Sequence, residues 1–419
     1  MRIAFVMGGI PSLGHSGSTI AAWTIIEQLL ESGHEVTAIL LPERSLVNET
    51  GPDRLAALER LGVAVQLIEI PGAPADDRRW RRRLAFARSL AWPRDDELFP
   101  SARAAEAVQG MLEAERVEAG IAFAFEAISA TWSRRTIPLL ALLSHPPGVS
   151  RRVRVRYGPS GGRVWQASQR SFLLHADRRA SRMLQAFPSV GVFSREHSTW
   201  ARKHGVNAWY AHYPMPDLAG PHWRERRSNT GPGGRPKILM IGHLRGIGTI
   251  SGLHLFVPSI LPRLTEALGS DGFEVHLVGG HEPPLEFAEG LRHPAVQVRG
   301  QIIDPAEEFF DADVLLAPNP TTTGASARIL SGLTFGNCIV AHTDSLVGIP
   351  ELVDDENCLL AADGAGLADK TLRALREVAL RDRLGSNARR LYERSFSPPV
   401  AAAQIVRELE RLRAGCTRA

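Results

Sequence analysis

The residues best suited to chemistry lie between Ala317 and His342, in APNPTTTGASARILSGLTFGNCIVAH. Arg328 brings a permanent charge on a planar fork that matches a phosphate. It stands one turn into a helical pattern running from about Ser326 to Phe335, behind the polar loop Thr321, Thr322, Thr323 and Gly324. A helix start offers free backbone N–H groups and a positive dipole end, so this stretch is fitted to hold an anion. His145 is the second candidate. It opens the loop Ser144-His145-Pro146-Pro147-Gly148 directly after the apolar run Leu139–Ser144. Sheets of α/β proteins place ligands at that address, although a histidine there can also do no more than cap a turn. The third is the glycine-rich loop GGIPSLGHSGS behind the first apolar run. Such a loop fits phosphate or sugar binding, and glycines also make tight turns with no ligand at all.

The elements that must position these residues follow from hydrophobic pattern. Around Arg328, an apolar run over Asp313–Ala317 breaks at Pro318, the helical pattern stops at Gly336, and Cys338–Ala341 is apolar again. That is strand, loop, helix, strand: one βαβ unit of a parallel sheet. The chain opens the same way, with a strand over Arg2–Met7, a helix over Thr19–Glu31 and a strand over Glu35–Leu41. Further strands are expected at Val63–Ile70, Gly120–Phe125, Leu139–Ser144, Val190–Phe193 and Trp209–Tyr213. SNTGPGGRP, Ser228–Pro236, reads as a linker, and the pattern restarts at Lys237–Ile241 followed by Gly242-His243-Leu244-Arg245-Gly246. Two doubly wound α/β domains are therefore expected, 1–227 and 237–395, with a cleft between facing strand ends.

The 419 residues suit two domains, and 44% hydrophobic with 22% charged residues is ordinary for a globular chain. No run of 18 apolar residues occurs, so no membrane-crossing helix is expected. Three cysteines, Cys338, Cys358 and Cys416, form no metal spacing and no disulfide framework, which fits a reducing cytoplasm. Charge is uneven: residues 1–230 hold 30 Lys/Arg against 22 Asp/Glu, and the rest hold 19 against 23. Much of the excess lies in Arg78–Arg94 and Arg151–Arg163, beside Trp80, Phe86, Trp92 and Trp165. That combination suits peripheral attachment to an anionic membrane face, the inner leaflet for a cytoplasmic protein; the alternative is a solvated Arg-rich helix face. Nucleic acid is not expected, since no binding module accompanies the charge. Metal-ligand spacings, a G-x-S-x-G elbow and a Walker loop are all missing from the sequence.

The focal stretch resembles the donor-binding segment of family 4 glycosyltransferases, retaining enzymes of the GT-B fold. Their pattern runs roughly G-x-R-x-K-I-L-E-A-x-A-x-G-x-P-V-V-A, and Gly324, Arg328, Ile329, Leu330, Gly336, Val340 and Ala341 fall in register. Two carboxylates of that pattern are absent: Ser331 stands at the ribose-binding Glu, and Thr323 at a more upstream Glu. The usual Gly-Lys-Pro turn reads Gly336-Asn337-Cys338. The likeness is specific from Lys237 to Leu360 and looser before that.

This resemblance implies two Rossmann-like domains, the first on the acceptor side and the second holding a nucleotide-sugar donor, with the closing helix (396–419) packed back on the first domain. It implies that Gly14 and Gly17 face the donor phosphates, that His145 meets the donor sugar, and that Ser331 replaces the ribose ligand. Enzymes of this fold stabilise the diphosphate leaving group with helix starts and basic side chains rather than a tightly held metal. Arg245 and Arg328 would here clamp it, and no cofactor beyond the donor is implied. The implied activity is a retaining, metal-independent sugar transfer to a glycan, lipid-linked or small-molecule acceptor. Two other readings stand beside it: a non-catalytic GT-B protein that binds a glycan or partner, supported by the missing carboxylates, and a sugar-nucleotide epimerase, which needs further carboxylates near the sugar.

Overall fold

The computed structural model describes residues 1–13, 17–41, 51–68, 102–133, 137–157, 173, 176–229, 234–320 and 323–416. Gly14, the segment Arg78–Arg94, Arg163 and Trp165 lie outside the described residues.

The chain divides into two compact units, Met1–Pro214 with Ala401–Ala419, and Met215–Val400. The first holds a seven-stranded sheet in the order β3-β2-β1-β4-β5-β6-β7. Its strands are β1 Arg2–Met7, β2 Glu35–Leu40, β3 Ala64–Leu67, β4 Ala119–Phe123, β5 Leu139–Leu143, β6 Ser189–Val192 and β7 Ala208–Tyr210. The second holds a six-stranded sheet, β10-β9-β8-β11-β12-β13. Its strands are β8 Lys237–Ile241, β9 Glu274–Val278, β10 Val296–Gly300, β11 Val314–Ala317, β12 Ile339–His342 and β13 Leu359–Ala361. Every pairing in both sheets is parallel. Parallel sheets are covered on both faces, which is why the central strands read as unbroken apolar runs: β4, β5, β11 and β12 are buried at every position.

In each sheet the chain turns outward in opposite directions from a central strand. The reversals fall between β1 and β4 and between β8 and β11. Ligands of open α/β sheets bind at the carboxyl ends of strands at such switch points.

One helical stretch of the second unit, Ile247–Leu268, has the length and apolar character of a membrane span. Leu253, Phe256, Ile260, Leu261 and Leu264 all lie in the core of this unit, so packing on the sheet accounts for the composition. It changes to π-helical geometry over Phe256–Ile260, around Pro258. Proline lacks an N–H and clashes with the preceding turn, and a widened turn relieves both.

The unit boundary differs from the one expected at Ser228–Pro236. The segment from Met215 belongs with the second unit, and its contacts explain why. The Met215 N–H donates to the Phe396 carbonyl at 2.8 Å, and the Tyr392 hydroxyl donates to the Met215 carbonyl at 3.1 Å. Buried Arg389 takes Asp217 bidentately at 2.7 Å, and Glu393 at 2.8 Å. Further on, Arg226 pairs with Glu307 and lies 3.9 Å from the centroid of the Phe310 ring. A helix over Trp223–Asn229, not expected from the sequence, carries that arginine. At the other end, the helix Pro398–Cys416 returns to the first unit from Ala401 onward, where Arg413 pairs with Glu118 at 2.5 Å.

Candidate functional site

Arg328 is the centre of the second unit's switch point. The helix that carries it, Ala327–Thr334, follows β11 and starts at Ser326 without a side-chain cap on its first amides. The Arg328 Nη1 donates to Asn319 Oδ1 at 3.2 Å and Nη2 donates to Thr249 Oγ1 at 3.3 Å. Asn319 in turn donates to the Gly248 carbonyl, so the loop after β11 and the helix after β8 are tied through one side chain. Gly242, at the end of β8 with φ of +148°, makes the close approach possible. A Cβ there would lie 2.7 Å from the Arg328 guanidinium and 3.0 Å from Thr249 Oγ1.

The electrostatics of this arginine are unusual. Burial pulls its pKa down to about 10, and no carboxylate among the described residues offsets the shift. A half-buried guanidinium held by two neutral oxygens carries an uncompensated charge, which is costly unless an anion supplies the partner. Its surroundings can therefore bind a phosphate by charge-assisted hydrogen bonds.

Gly324 precedes this helix with φ of +134° and meets Gly348 from the turn after β12. A Cβ on Gly348 would lie 2.0 Å from the Gly324 carbonyl oxygen and 2.7 Å from the Ala325 nitrogen, so only glycine fits. Ser331 is half-buried and lies three residues beyond Arg328, on the same helix face. Where a Lys-Pro turn was absent, buried Asn337 donates to the Phe309 carbonyl at 2.8 Å and Cys338 is a core residue whose thiol burial pushes up to about 12.

Arg245 is exposed. Its Nε donates to the Glu282 carbonyl at 3.2 Å and its backbone N–H to His243 Nδ1 at 3.2 Å. It shares no hydrogen-bond partner with Arg328; the first sits over the loop after β9, the second between the loops after β8 and β11.

In the first unit, His145 follows β5, and its Nε2 hydrogen-bonds Ser150 Oγ at the start of the helix Pro147–Tyr157. Its ring lies 6.5 Å from that of His197, tilted by 58°. His197 sits in the first turn of Arg195–Lys203, below the cap that Ser194 makes to the His197 N–H at 3.3 Å. Burial pulls His197 to about 4, against a hydrogen bond with the Ser144 backbone that opposes the shift. It is a neutral imidazole at physiological pH. Gly17 begins the helix Gly17–Glu31, where its carbonyl accepts the hydroxyl of buried Tyr213.

Several residues of these sites carry no sequence signal. Asn319, Thr249 and Gly242 become partners of Arg328 only through the fold. Ala124 has φ of +66° at the junction of β4 and the helix Ala124–Thr131. Left-handed backbone is disfavoured for alanine, and such strain gathers at functional positions. The turn sets Glu126 against Gly8, where a Cβ would lie 2.7 Å from the Glu126 Cβ, at the switch point of the first sheet.

Residues 235–377 match the family model described as glycosyl transferases group 1. No curated protein matches the chain by sequence. Among solved structures it is similar to sucrose-phosphate synthase from Thermosynechococcus elongatus, with a TM-score of 0.71 and 16% identity over 99% of each chain. It is similar to HepE from Anabaena in complex with UDP, with a TM-score of 0.66 and 14% identity over 98% of this chain and 100% of that one. A third likeness is to WaaG, a glycosyltransferase involved in lipopolysaccharide biosynthesis, with a TM-score of 0.60 and 15% identity over 97% of this chain and 99% of that one. The chain thus has the GT-B fold of two parallel-sheet Rossmann-like units, and its second unit carries a glycosyl transferases group 1 domain.

Proposed function

We propose that the chain is a retaining, metal-independent glycosyltransferase that moves a sugar from a nucleoside-diphosphate donor to a glycan, lipid-linked or small-molecule acceptor. The observation that carries this reading is Arg328, a half-buried guanidinium with no carboxylate partner among the described residues, at the switch point of a glycosyl transferases group 1 domain. Breaking the glycosidic bond to a diphosphate builds negative charge on the leaving oxygens. A cation fixed by Asn319 and Thr249 before the donor arrives stabilises that charge without reorganising. Arg245 and the uncapped helix start after Gly324 add donors to the same ligand. Ser331 takes the ribose through a neutral hydroxyl, and His145 is the first unit's residue for the donor sugar, with Gly17 in the loop region assigned to phosphates. UDP and UDP-glucose, the ligands bound to HepE, make a uridine donor the first to test. Work in the cytoplasm, with peripheral attachment to the inner membrane face, belongs to the same proposal.

Thermal shift and calorimetric titration with UDP, GDP and ADP and their sugars test donor binding. Release of nucleotide tests turnover, NMR of the new anomeric centre tests retention, and the rate in EDTA tests the role of metal. Saturable binding of one nucleotide with turnover of its sugar supports the reading. A second reading, a GT-B protein that binds glycan without catalysis, is favoured by Ser331 and Thr323 standing where the family resemblance places carboxylates. Silence across the nucleotide panel would select it.

A further inference from the structure

The helix Ala327–Thr334 starts at Arg328, and its opposite end carries a connection that holding an anion does not require. Thr334 is its last residue, and a helix leaves its last carbonyls without backbone partners. Arg389 supplies one: its Nη1 donates to the Thr334 carbonyl at 2.5 Å. A cation there also faces the negative end of the helix dipole. Gly336, with φ of +61°, turns the chain away and is enclosed on two sides. A Cβ on Gly336 would lie 2.4 Å from the Trp223 ring, and one on Gly385 would lie 2.2 Å from the Gly336 carbonyl oxygen. The helix end is thus seated between the helices Trp223–Asn229 and Val378–Leu391.

Arg389 has a second set of partners. Its Nη1 and Nη2 grip the Asp217 carboxylate at 2.7 Å each, and its Nε donates to Glu393 at 2.8 Å. Asp217 belongs to the segment by which the chain enters the second unit at Met215. Glu393 lies in the π-helical turn Tyr392–Phe396, just before the chain leaves that unit after Val400. The two segments are joined to each other, through the Met215 N–H on the Phe396 carbonyl and the Tyr392 hydroxyl on the Met215 carbonyl. One side chain therefore ties the far end of the Arg328 helix to both crossing segments of the chain. That helix is about 12 Å long and buries Ile329, Leu330 and Leu333, so a displacement at Arg328 is carried to Thr334. A bidentate fork tolerates little displacement. The Arg389 side chain is only 7% exposed, whereas that of Asp217 is 35% exposed and stands on irregular backbone. Asp217 is accordingly the member of the network that can let go.

We propose that Arg389 is a positioning residue for the donor helix, and that a diphosphate held at Arg328 fastens the entering segment Met215–Asp217 through Thr334, Arg389 and Asp217. The inference rests on the donor reading above. It gives Arg389 and Asp217 a part in the response to the donor that requires no contact with it.

The test is amide hydrogen exchange of the full chain with and without saturating UDP. Bound ligand slows amides that exchange through global unfolding, and the Val275 amide, held by the Ala295 carbonyl inside the second sheet, reports that route. The Met215 amide is expected to exchange faster than Val275, by local release, and to be slowed about fivefold or more by UDP. A local opening with no link to the donor would not respond at all. Asp217→Asn keeps the shape but not the charge of the fork, and is expected to bind UDP as the wild type does while losing the slowing at Met215. Arg389→Lys, which keeps the charge but cannot grip Asp217 and Thr334 together, is expected to lose the slowing as well. Should that variant fail to fold, Asp217→Asn decides. Arg263→Gln removes an exposed pair with Asp369 and serves as the control that keeps the slowing. UDP binding that leaves Met215 unchanged, a Met215 amide that exchanges only together with Val275, or an Asp217→Asn variant with the wild-type slowing overturns the coupling and leaves the donor reading standing. If neither UDP nor any other nucleotide binds the wild type, both fall together.

Discussion

Replacing Arg328 by methionine separates the cost of its charge from the use of it. Methionine keeps much of the volume and removes the guanidinium. In the free protein that group is displaced from its ordinary 12.5 to about 10 by burial alone, which corresponds to about 3 kcal/mol of disfavoured charge. Its two hydrogen bonds, at 3.2 and 3.3 Å to neutral oxygens, return about 1 kcal/mol each. The balance leaves the arginine costing the unliganded fold about 1 kcal/mol, so Arg328→Met is expected to be neutral or stabilising by that amount. Nucleotide-diphosphate affinity is expected to fall by about 1.5–3 kcal/mol, the worth of a charge-assisted contact, or roughly 10- to 150-fold. Urea denaturation without ligand and calorimetric titration with UDP measure the two quantities. A variant destabilised by more than about 1 kcal/mol would make Arg328 a structural residue. One that bound the diphosphate as tightly as wild type would remove it from the site.

Three other expectations can be checked by standard measurements. His197 is neutral in the fold with its pKa near 4 and binds a proton near 6.5 when unfolded, so its contribution is full above pH 6.5 and is lost as pH falls through 4. About 3 kcal/mol should disappear over that window in denaturation curves, and the loss should shrink in His197→Leu. Gly348→Ala should cost about 2 kcal/mol or more in thermal or urea unfolding, because its Cβ meets backbone atoms of Gly324 and Ala325 that cannot move aside cheaply. Ser331→Ala should weaken UDP binding by about 1 kcal/mol, the worth of one neutral hydrogen bond, while pyrophosphate binds as before; equal loss for both ligands would take Ser331 away from the ribose.

The sequence by itself determined the fold class, because parallel strands buried on both faces leave unbroken apolar runs. The run over Lys237–Ile241 coincides with β8, and most of the others meet their strands within a residue or two. It also determined the βαβ unit around Arg328, since a helix must start after a strand that breaks at Pro318 and must stop at Gly336. The short β13 and the helix Trp223–Asn229 escaped, the first because three residues show no period, the second because its charged residues find their partners only on distant elements. The unit boundary escaped for the same reason. A Gly/Pro-rich stretch looks like a linker locally, whereas Asp217 meets Arg389 across 172 residues of chain. The candidate site shows the division most plainly. A sequence can name an arginine at a helix start, but whether its charge is compensated depends on which side chains approach from other loops. Only the tertiary structure decided that Arg328 would find Asn319, Thr249 and the bare face of Gly242, and no carboxylate among the described residues.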